Sequence, residues 1–304
     1  MLLPLILNIF AGVSIVCVNK FLVFGAAQFP FVTCLTLIHF VVITCGCLVF
    51  CSVGFFKHKQ LSIIKVLPMC LVFGGAIVSS NLCLLKNTLM VYQCAKIFTT
   101  PTVLLLQMGK GYRTSTLTKL SLVPVCFGAF LSVFGEVNLT LGGGVVMILS
   151  IAFNSTYNLW LSTKQKEWAA TPMQVLTYQA PISAILLFFM IPFFDDVPKL
   201  LDYKPDLFMF GSLAVSCTLA FFCNFSLFFM ASVTSPLTVN VMVYIKTILV
   251  LIIDLAIRPS INLQLMIGAV ITFSGLAMYS YAQYKDAVEA KRPIGPVHSD
   301  EDII

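Results

Sequence analysis

The feature that most constrains this chain is a series of long, continuously apolar stretches that recur along nearly its whole length. A transmembrane α-helix needs about 20 such residues to cross a hydrocarbon core of about 30 Å. Membrane-spanning strands are only about ten residues long and alternate between polar and apolar residues, a pattern that these stretches lack. The sequence therefore predicts an all-α polytopic membrane protein with ten transmembrane helices.

The ten predicted spans are bounded by Gly, Pro and charged residues and cover residues 3–25, 29–55, 63–85, 88–108, 119–137, 142–162, 172–194, 207–230, 234–257 and 261–284. Their number suggests a doubled five-span unit, with halves at 1–140 and 141–284 and a flexible cytosolic tail at 285–304. Because five is odd, the second half is expected to be inverted, as in secondary transporters that bind substrate near the midplane. A shift of 143 residues overlays Asn81 on Asn224, which supports the doubling only weakly.

Charged side chains are scarce, since Lys, Arg, Asp and Glu make up 10% of the 304 residues, against about 25% in soluble domains. This excludes an ordinary globular protein and a nucleic-acid-binding protein, and it makes the lipid bilayer the expected surroundings. Basic residues near membrane spans mark the cytosolic side. Eleven Lys and Arg fall on the side of both termini and four on the other side, so both termini are expected in the cytosol.

The eleven cysteines all lie in apolar stretches and show no metal-ligand spacing with histidine. We expect them to be small buried hydrophobic side chains, and we expect neither a metal site nor a cofactor. Residues 1–25 lack the basic start and the small-residue cleavage site of a signal peptide, so this segment is expected to be retained as the first span.

Three lysines, Lys20, Lys96 and Lys246, lie inside predicted spans at more than three residues from either end. A charged side chain at the centre of a membrane helix costs about 2.5–3.5 kcal/mol on insertion scales, so its presence points to a function. Lys20 is about one turn from the end of its span, so snorkelling to the interface is an equal alternative to a functional role. Lys96 and Lys246 lie deeper, and neither reaches water easily.

Few acidic residues are available to neutralise these lysines. Glu136 lies at the end of the fifth span, and Asp254, in the ninth, has Arg258 four residues away as a nearer partner than Lys246. We therefore expect two or three buried cations to face a cavity without a matching protein anion. An anionic ligand, above all a phosphate, completes such a site. The physical alternative is that desolvation leaves the lysines neutral.

Polar neighbours support a cavity around the two deeper lysines. The neighbours that we assign to the site are Tyr92, Gln93 and Thr99, which form a polar stripe with Lys96, and Tyr244 and Thr247 near Lys246. Local roles are the alternative, because threonine can bond to its own helix carbonyls and Tyr92 can be an interfacial aromatic residue. His39, in the second span, is more typical of an interhelix hydrogen bond than of a proton relay.

Several polar motifs together form a recognisable pattern. They are Asn19-Lys20, Phe29-Pro30 followed by Thr36 and His39, Leu67-Pro68, Asn81-Leu82, Tyr92 to Lys96 with Thr99-Thr100-Pro101, and Ser235-Pro236-Leu237 through Tyr244 to Lys246-Thr247. The pattern resembles the triose-phosphate and nucleotide-sugar translocators of the drug/metabolite transporter superfamily, and more narrowly solute carrier family 35, subgroup E. It runs from the first span to the tenth, and its specific part is the pair of motifs in spans four and nine.

The resemblance implies two inverted five-helix halves, alternating access and exchange of phosphorylated metabolites. It also implies that Lys96 and Lys246 bind the substrate phosphate. The motif positions Lys20, Asn81 and His39 complete the expected set of substrate-binding residues. Plastid triose-phosphate members have Lys-Arg in the ninth span, whereas this chain has Lys246-Thr247, as in one group of nucleotide-sugar transporters. Loss of the bidentate arginine disfavours a small sugar phosphate.

We therefore expect a Golgi antiporter, and not an enzyme, that exchanges a nucleotide sugar for a nucleoside monophosphate. A sugar-phosphate/phosphate exchanger of the triose-phosphate type is the alternative within transport. An intramembrane glycosyl or phosphoryl transferase is the alternative of another class, but its chemistry needs a carboxylate pair or a His/Asp group that the spans do not offer. The sequence leaves the oligomeric state open, including a homodimer.

Overall fold

The computed structural model describes residues 2–111, 114–134, 140–234, 236–257 and 263–289. Within these residues the chain forms α-helices and one π-helical segment and contains no strand. The helices are α1 (Leu2–Cys17), which continues into the π-helix Val18–Ala26, α2 (Val32–Ser52), α3 (Ile63–Lys86), α4 (Leu89–Gly109), α5 (Thr116–Phe134), α6 (Leu141–Glu167), α7 (Pro172–Phe194), α8 (Val197–Asp202), α9 (Leu207–Val233), α10 (Pro236–Ile257) and α11 (Leu263–Glu289).

Eight helices of the described residues are long and apolar enough to cross a membrane: α1 with its π-helical continuation, α2 through α7, and α9. The prediction of an all-helical protein with many membrane spans is therefore confirmed. The helices α10 and α11 occupy the positions of the ninth and tenth predicted spans. The first residues of the predicted tail belong to α11, and residues 290–304 lie outside the described part of the chain.

Two local features were not predicted from the sequence. The first is α8, a short helix between α7 and α9, whose first turn is capped by the Asp196 carboxylate through a 3.2 Å hydrogen bond from the Lys199 backbone N–H. An Asp followed two residues later by Pro198 is a recognisable helix start. The second is the π-helical end of the first span, where the wider turn carries Asn19 and Lys20.

The helix contacts follow a regular pattern. The most extensive interhelix contacts join α5 to α11, α3 to α6, α2 to α7 and α1 to α9. Further contacts join α4 to α6, α1 to α10, α4 to α5, α10 to α11, and α4 to α10. The helices α3, α4, α6, α9 and α10, together with α1 and α2, thus surround a common central region.

The helices α2 and α7 run antiparallel and are tied at both ends. At one end, the Asp195 carboxylate accepts hydrogen bonds from the backbone N–H groups of Thr33 (3.2 Å) and Cys34 (2.8 Å) in the first turn of α2. This turn has no side-chain cap from its own N-cap residue, so the carboxylate satisfies otherwise free amides. At the other end, Gln174 Nε2 donates to the Lys57 carbonyl oxygen at 2.9 Å.

The helices α5 and α11 are also antiparallel, and glycine lets their backbones meet. A Cβ atom added to Gly128 would lie 2.5 Å from the backbone nitrogen of Thr272. A Cβ atom added to Gly268 would lie 2.8 Å from the carbonyl oxygen of Gly128 and would also meet Ser132. Small residues at such positions allow the close backbone approach that is typical of membrane helix pairs.

Candidate functional site

A central cavity of about 340 Å³ lies between α1, α2, α3, α4, α6, α9 and α10. Eight of the ten predicted site residues line it: Lys96, Lys246, Thr247, Tyr92, Gln93, Thr99, Asn81 and His39. Among the described residues that form its wall, two are lysines and none is an aspartate or a glutamate. The described part of the cavity wall thus holds two lysine side chains and no acidic group.

Lys96, on α4, is held by two neutral oxygen atoms. Its Nζ donates to Ser80 Oγ of α3 at 3.0 Å and to Asn154 Oδ1 of α6 at 3.4 Å. The Nζ atom also lies 5.4 Å from the centre of the Tyr92 ring, one helical turn earlier, which is a cation–π distance. An ammonium group with only neutral partners keeps most of its capacity to attract an anion.

Lys246, on α10, is held in a similar way by α1. Its Nζ donates to Asn8 Oδ1 at 2.9 Å, and the Asn8 amide nitrogen donates to Ser226 Oγ of α9 at 2.9 Å. Asn8 is fully buried, with 0% of its surface exposed. A Cβ atom on Gly12 would lie 2.5 Å from Lys246 Cδ, so the lysine side chain runs closely over this glycine.

Two threonines of the site combine both roles that the sequence allowed. Thr99 and Thr247 line the cavity, while the Oγ1 of each donates to a carbonyl oxygen one turn earlier in its own helix, both at 3.0 Å. The carbonyl acceptors are those of Ala95 and Val243. Each hydroxyl oxygen can still accept a hydrogen bond, but its own proton is used within the helix.

His39 and Asn81 are tied to neighbouring helices. His39 Nε2 lies 2.9 Å from Ser216 Oγ of α9, and this hydroxyl donates to Asn19 Oδ1 in the π-helix. Because the serine proton is directed to Asn19, the imidazole Nε2–H donates to the serine oxygen. Asn81 Nδ2 donates to Thr36 Oγ1 of α2 at 3.0 Å. These contacts fix the position of both side chains at the cavity wall.

Aromatic rings form another part of the wall. The Phe40 and Phe73 rings are stacked, with centroids 5.1 Å apart and an interplanar angle of 16°. The Tyr157 ring follows at 4.9 Å from Phe73, and its hydroxyl donates to Gln179 Oε1 at 3.2 Å. The cavity therefore has a cationic part at the two lysines and an aromatic part formed by α2, α3 and α6. Such a surface can hold a ligand that has both a phosphate and a flat or apolar group.

Comparison with known proteins gives relatives along almost the whole chain, although no family model matches it. The chain is 32% identical to UDP-xylose transporter 1 of Arabidopsis thaliana, over 91% of this chain and 82% of that protein. It is 30% identical to UDP-xylose transporter 2 of the same plant, with 90% and 79% covered. It is 24% identical to UDP-rhamnose/UDP-galactose transporter 3, with 91% and 81% covered. The chain belongs to the nucleotide-sugar transporter family.

This membership confirms the resemblance to the nucleotide-sugar translocators of the drug/metabolite transporter superfamily. Since the relatives are named as transporters, the prediction of a transporter and not an intramembrane transferase is confirmed as well. Together with the apolar helices, it makes the chain a multi-pass membrane protein.

The structure of this nucleotide-sugar transporter places the two remaining predicted site residues away from the cavity wall. Lys20 Nζ donates to the carbonyl oxygens of Leu84 (2.8 Å) and Asn87 (2.5 Å) at the C-terminal end of α3. A cation at this end satisfies free carbonyls and opposes the helix dipole. The Tyr244 hydroxyl lies 3.4 Å from Thr100 Oγ1, in a contact between α10 and α4.

Three residues that contact the lysines were not assigned to the site from the sequence: Asn8, Ser80 and Asn154. A polar residue in the middle of an apolar span was the available signal, but many spans contain one. Glu136 and Arg258, two charged residues that the sequence offered as partners, lie outside the described residues.

Proposed function

We propose that this chain is an antiporter that exchanges a uridine-diphosphate sugar for a uridine monophosphate across the Golgi membrane. The observation that carries the proposal is a cavity with Lys96 and Lys246 in its wall and no acidic residue among the described residues that line it. We infer a uridine nucleotide because the relatives are UDP-xylose and UDP-rhamnose/UDP-galactose transporters. A volume of about 340 Å³ falls within the range of about 300–1,000 Å³ that is usual for ligand pockets.

The proposed architecture is ten spans in two inverted five-helix halves, at 1–140 and 141–284, with both termini and the tail 285–304 in the cytosol. Support comes from the helix contacts, which stay the same when α1 to α5 are exchanged for α6, α7, α9, α10 and α11 in order. For example, the α3–α6 contact becomes α9–α1, and α4–α6 becomes α10–α1. The antiparallel pairs α2–α7 and α5–α11 fit an inverted relation, since they pair equivalent helices of opposite direction.

In the proposed mechanism, the substrate phosphates neutralise Lys96 and Lys246 while the base or sugar lies against the aromatic wall. A neutral, filled site permits the two halves to rock past each other, because the charge no longer has to be desolvated without a partner. The empty site carries two charges and crosses poorly, so the nucleoside monophosphate is needed for the return step. Because the filled carrier crosses readily and the empty carrier does not, transport is a strict exchange.

The test is uptake into proteoliposomes that contain the purified full chain. Liposomes preloaded with uridine monophosphate are expected to take up labelled UDP-xylose or UDP-galactose several times faster than liposomes loaded with buffer or with inorganic phosphate. Uptake that is independent of preloading contradicts exchange. Exchange of triose phosphate for phosphate, without any nucleotide-sugar uptake, supports the triose-phosphate alternative and overturns the proposal.

The proposed location has a separate test. The chain with an epitope after residue 304 is expected to co-localise with a Golgi marker, and an antibody is expected to reach the epitope after permeabilisation of the plasma membrane alone. An epitope that becomes accessible only after all membranes are permeabilised contradicts the cytosolic orientation, and a distribution without the Golgi marker contradicts the location.

A further inference from the structure

An asparagine bonded to a serine holds each cavity lysine, and these asparagine–serine pairs are equivalent in the two halves of the chain. Lys96 of α4 contacts Asn154 of α6, which in turn bonds Ser80 of α3. Lys246 of α10 contacts Asn8 of α1, which bonds Ser226 of α9. Exchanging α4, α6 and α3 for α10, α1 and α9 preserves the interhelix contacts and relates the helices around Lys96 to those around Lys246. Moreover, Asn8 and Asn154 are separated in sequence by the same number of residues as Ser80 and Ser226.

The amide orientation of Asn154 is fixed by its surroundings. Its Nδ2 donates to the carbonyl oxygens of Ser150 (2.7 Å) and Ala76 (3.3 Å), and a carbonyl oxygen can only accept. The amide oxygen must therefore be the atom that is directed at Lys96. This arrangement presents a neutral acceptor to the ammonium group of the lysine.

Asn8 has the same fixed orientation. Its Nδ2 donates to the Cys223 carbonyl oxygen at 3.0 Å, so its Oδ1 is left for Lys246. Asn8 is completely buried, whereas Asn154 is partly exposed at the cavity. The lysine contact is also shorter at Asn8, 2.9 Å against 3.4 Å at Asn154. The Asn154 contact is thus the weaker and more accessible of the two.

A neutral acceptor suits a lysine that has to change partners. An unpartnered ammonium group in the membrane is costly, so the empty carrier needs an acceptor at each lysine. A protein carboxylate in the same place forms an ion pair and competes directly with a phosphate for the ammonium group. An amide oxygen satisfies the donor but binds it less strongly than an anionic oxygen does.

We propose that Asn8 and Asn154 are paired positioning residues that hold Lys246 and Lys96 in the empty carrier and release them to the phosphate oxygens of the nucleotide. This inference rests on the proposed function, because it takes the nucleotide phosphate as the ligand of the lysines. It adds that neutrality of the two acceptors, one in each half, is required for ligand binding.

The decisive variant is Asn154→Asp, which keeps the size of the side chain and adds a carboxylate next to Lys96. The purified variant is expected to bind uridine monophosphate at least about tenfold more weakly, because the carboxylate replaces the phosphate as partner. The melting temperature of the ligand-free variant is expected to stay within a few degrees of the wild type, because the ion pair with Lys96 offsets the loss of the amide hydrogen bonds to the Ser150 and Ala76 carbonyl oxygens. Asn8→Asp is expected to act in the same way on Lys246. Both quantities come from calorimetric titration and thermal unfolding of the same preparation.

A purely structural role predicts a different result. If Asn154 only supports packing, Asn154→Asp leaves nucleotide affinity unchanged, or lowers affinity together with a large loss of ligand-free stability, and either result overturns the proposal. Failure of the variant to fold also overturns it, since the ion pair between Lys96 and the introduced carboxylate is expected to offset the lost amide hydrogen bonds of Asn154. The charge control is Gln283→Glu, at the end of α11, where Gln283 bonds Tyr279 away from the cavity.

A double variant separates the ion pair from other effects of the added acid. Asn154→Asp combined with Lys96→Gln leaves the new carboxylate without the lysine, so its ligand-free melting temperature is expected to fall below that of Asn154→Asp alone. An equal melting temperature shows that no ion pair formed and overturns the proposal. Absence of nucleotide binding by the wild type, in contrast, contradicts the proposed function and is seen before any variant is compared.

Discussion

Lys20 and the pair Lys96 and Lys246 present the same feature in the sequence, a lysine within an apolar span, but their ammonium groups have different surroundings. Lys20 bonds two backbone carbonyl oxygens at the end of α3. Lys96 and Lys246 bond side-chain oxygens at the wall of the cavity. The first lysine completes a helix end, and the other two lie in the wall of a cavity. The role of a lysine within a membrane span can therefore be assigned only when the hydrogen-bond acceptors of its ammonium group are known.

The largest effect is expected for removal of a cavity lysine. Lys96→Met or Lys246→Met takes away a charged donor but keeps an unbranched side chain of similar length. Loss of one charge-assisted hydrogen bond corresponds to about 1.5–3 kcal/mol, so uridine monophosphate affinity is expected to fall by about 10- to 150-fold. Titration of the purified protein measures this. Unchanged affinity in both variants shows that these lysines, like Lys20, do not bind the nucleotide.

An intermediate effect, on stability and not on affinity, is expected for Lys20→Met. The variant leaves the carbonyl oxygens of Leu84 and Asn87 without their donor, at a cost of about 1–3 kcal/mol. Thermal unfolding in detergent is expected to show a lower melting temperature, while the nucleotide affinity of the folded protein stays at the wild-type value. A variant of wild-type stability that binds nucleotide weakly assigns Lys20 to the binding site after all.

The smallest effect is expected from moving a cavity lysine without removing its charge. Gly12→Ala places a methyl group 2.5 Å from Lys246 Cδ, and the flexible side chain must shift. The shift is expected to weaken the hydrogen bond from Lys246 to the nucleotide phosphate and so to lower affinity by about two- to tenfold. Gly142→Ala is the matched control, because a Cβ atom there meets nothing within 4 Å. Equal affinities for the two variants show that the position of Lys246 does not matter for binding.

Much of the helical framework is predictable from local sequence. Apolar stretches about as long as a bilayer is thick gave ten spans, and the described helices overlap all of them. Helix ends deviate by a few residues because capping, and not hydropathy, sets them. For instance, α6 begins one residue earlier than predicted, after Thr140, whose hydroxyl accepts from the Gly143 backbone N–H at 3.1 Å. The short α8 was missed because six residues are too few for a hydropathy pattern to detect.

The register between the halves was less predictable. The shift of 143 residues overlaid Asn81 on Asn224, whereas the hydrogen bonds donated by Asn154 and Asn8 relate Ser80 to Ser226, three residues beyond that register. Three residues are most of a helical turn, so hydropathy alone barely distinguishes the two alignments. Contacts of specific side chains do distinguish them.

The sequence by itself determined that this protein is a helical membrane protein, because the length and apolarity of each span are local properties of the chain. It also located Lys96 and Lys246, since an ionisable residue within an apolar span is conspicuous wherever the helix packs. Only the tertiary structure separated Lys20 from those two and supplied Asn8, Ser80 and Asn154 as their partners. The physical reason is that a hydrogen bond between residues such as Asn8 and Lys246, 238 positions apart, depends on how α1 and α10 pack, which no local pattern encodes.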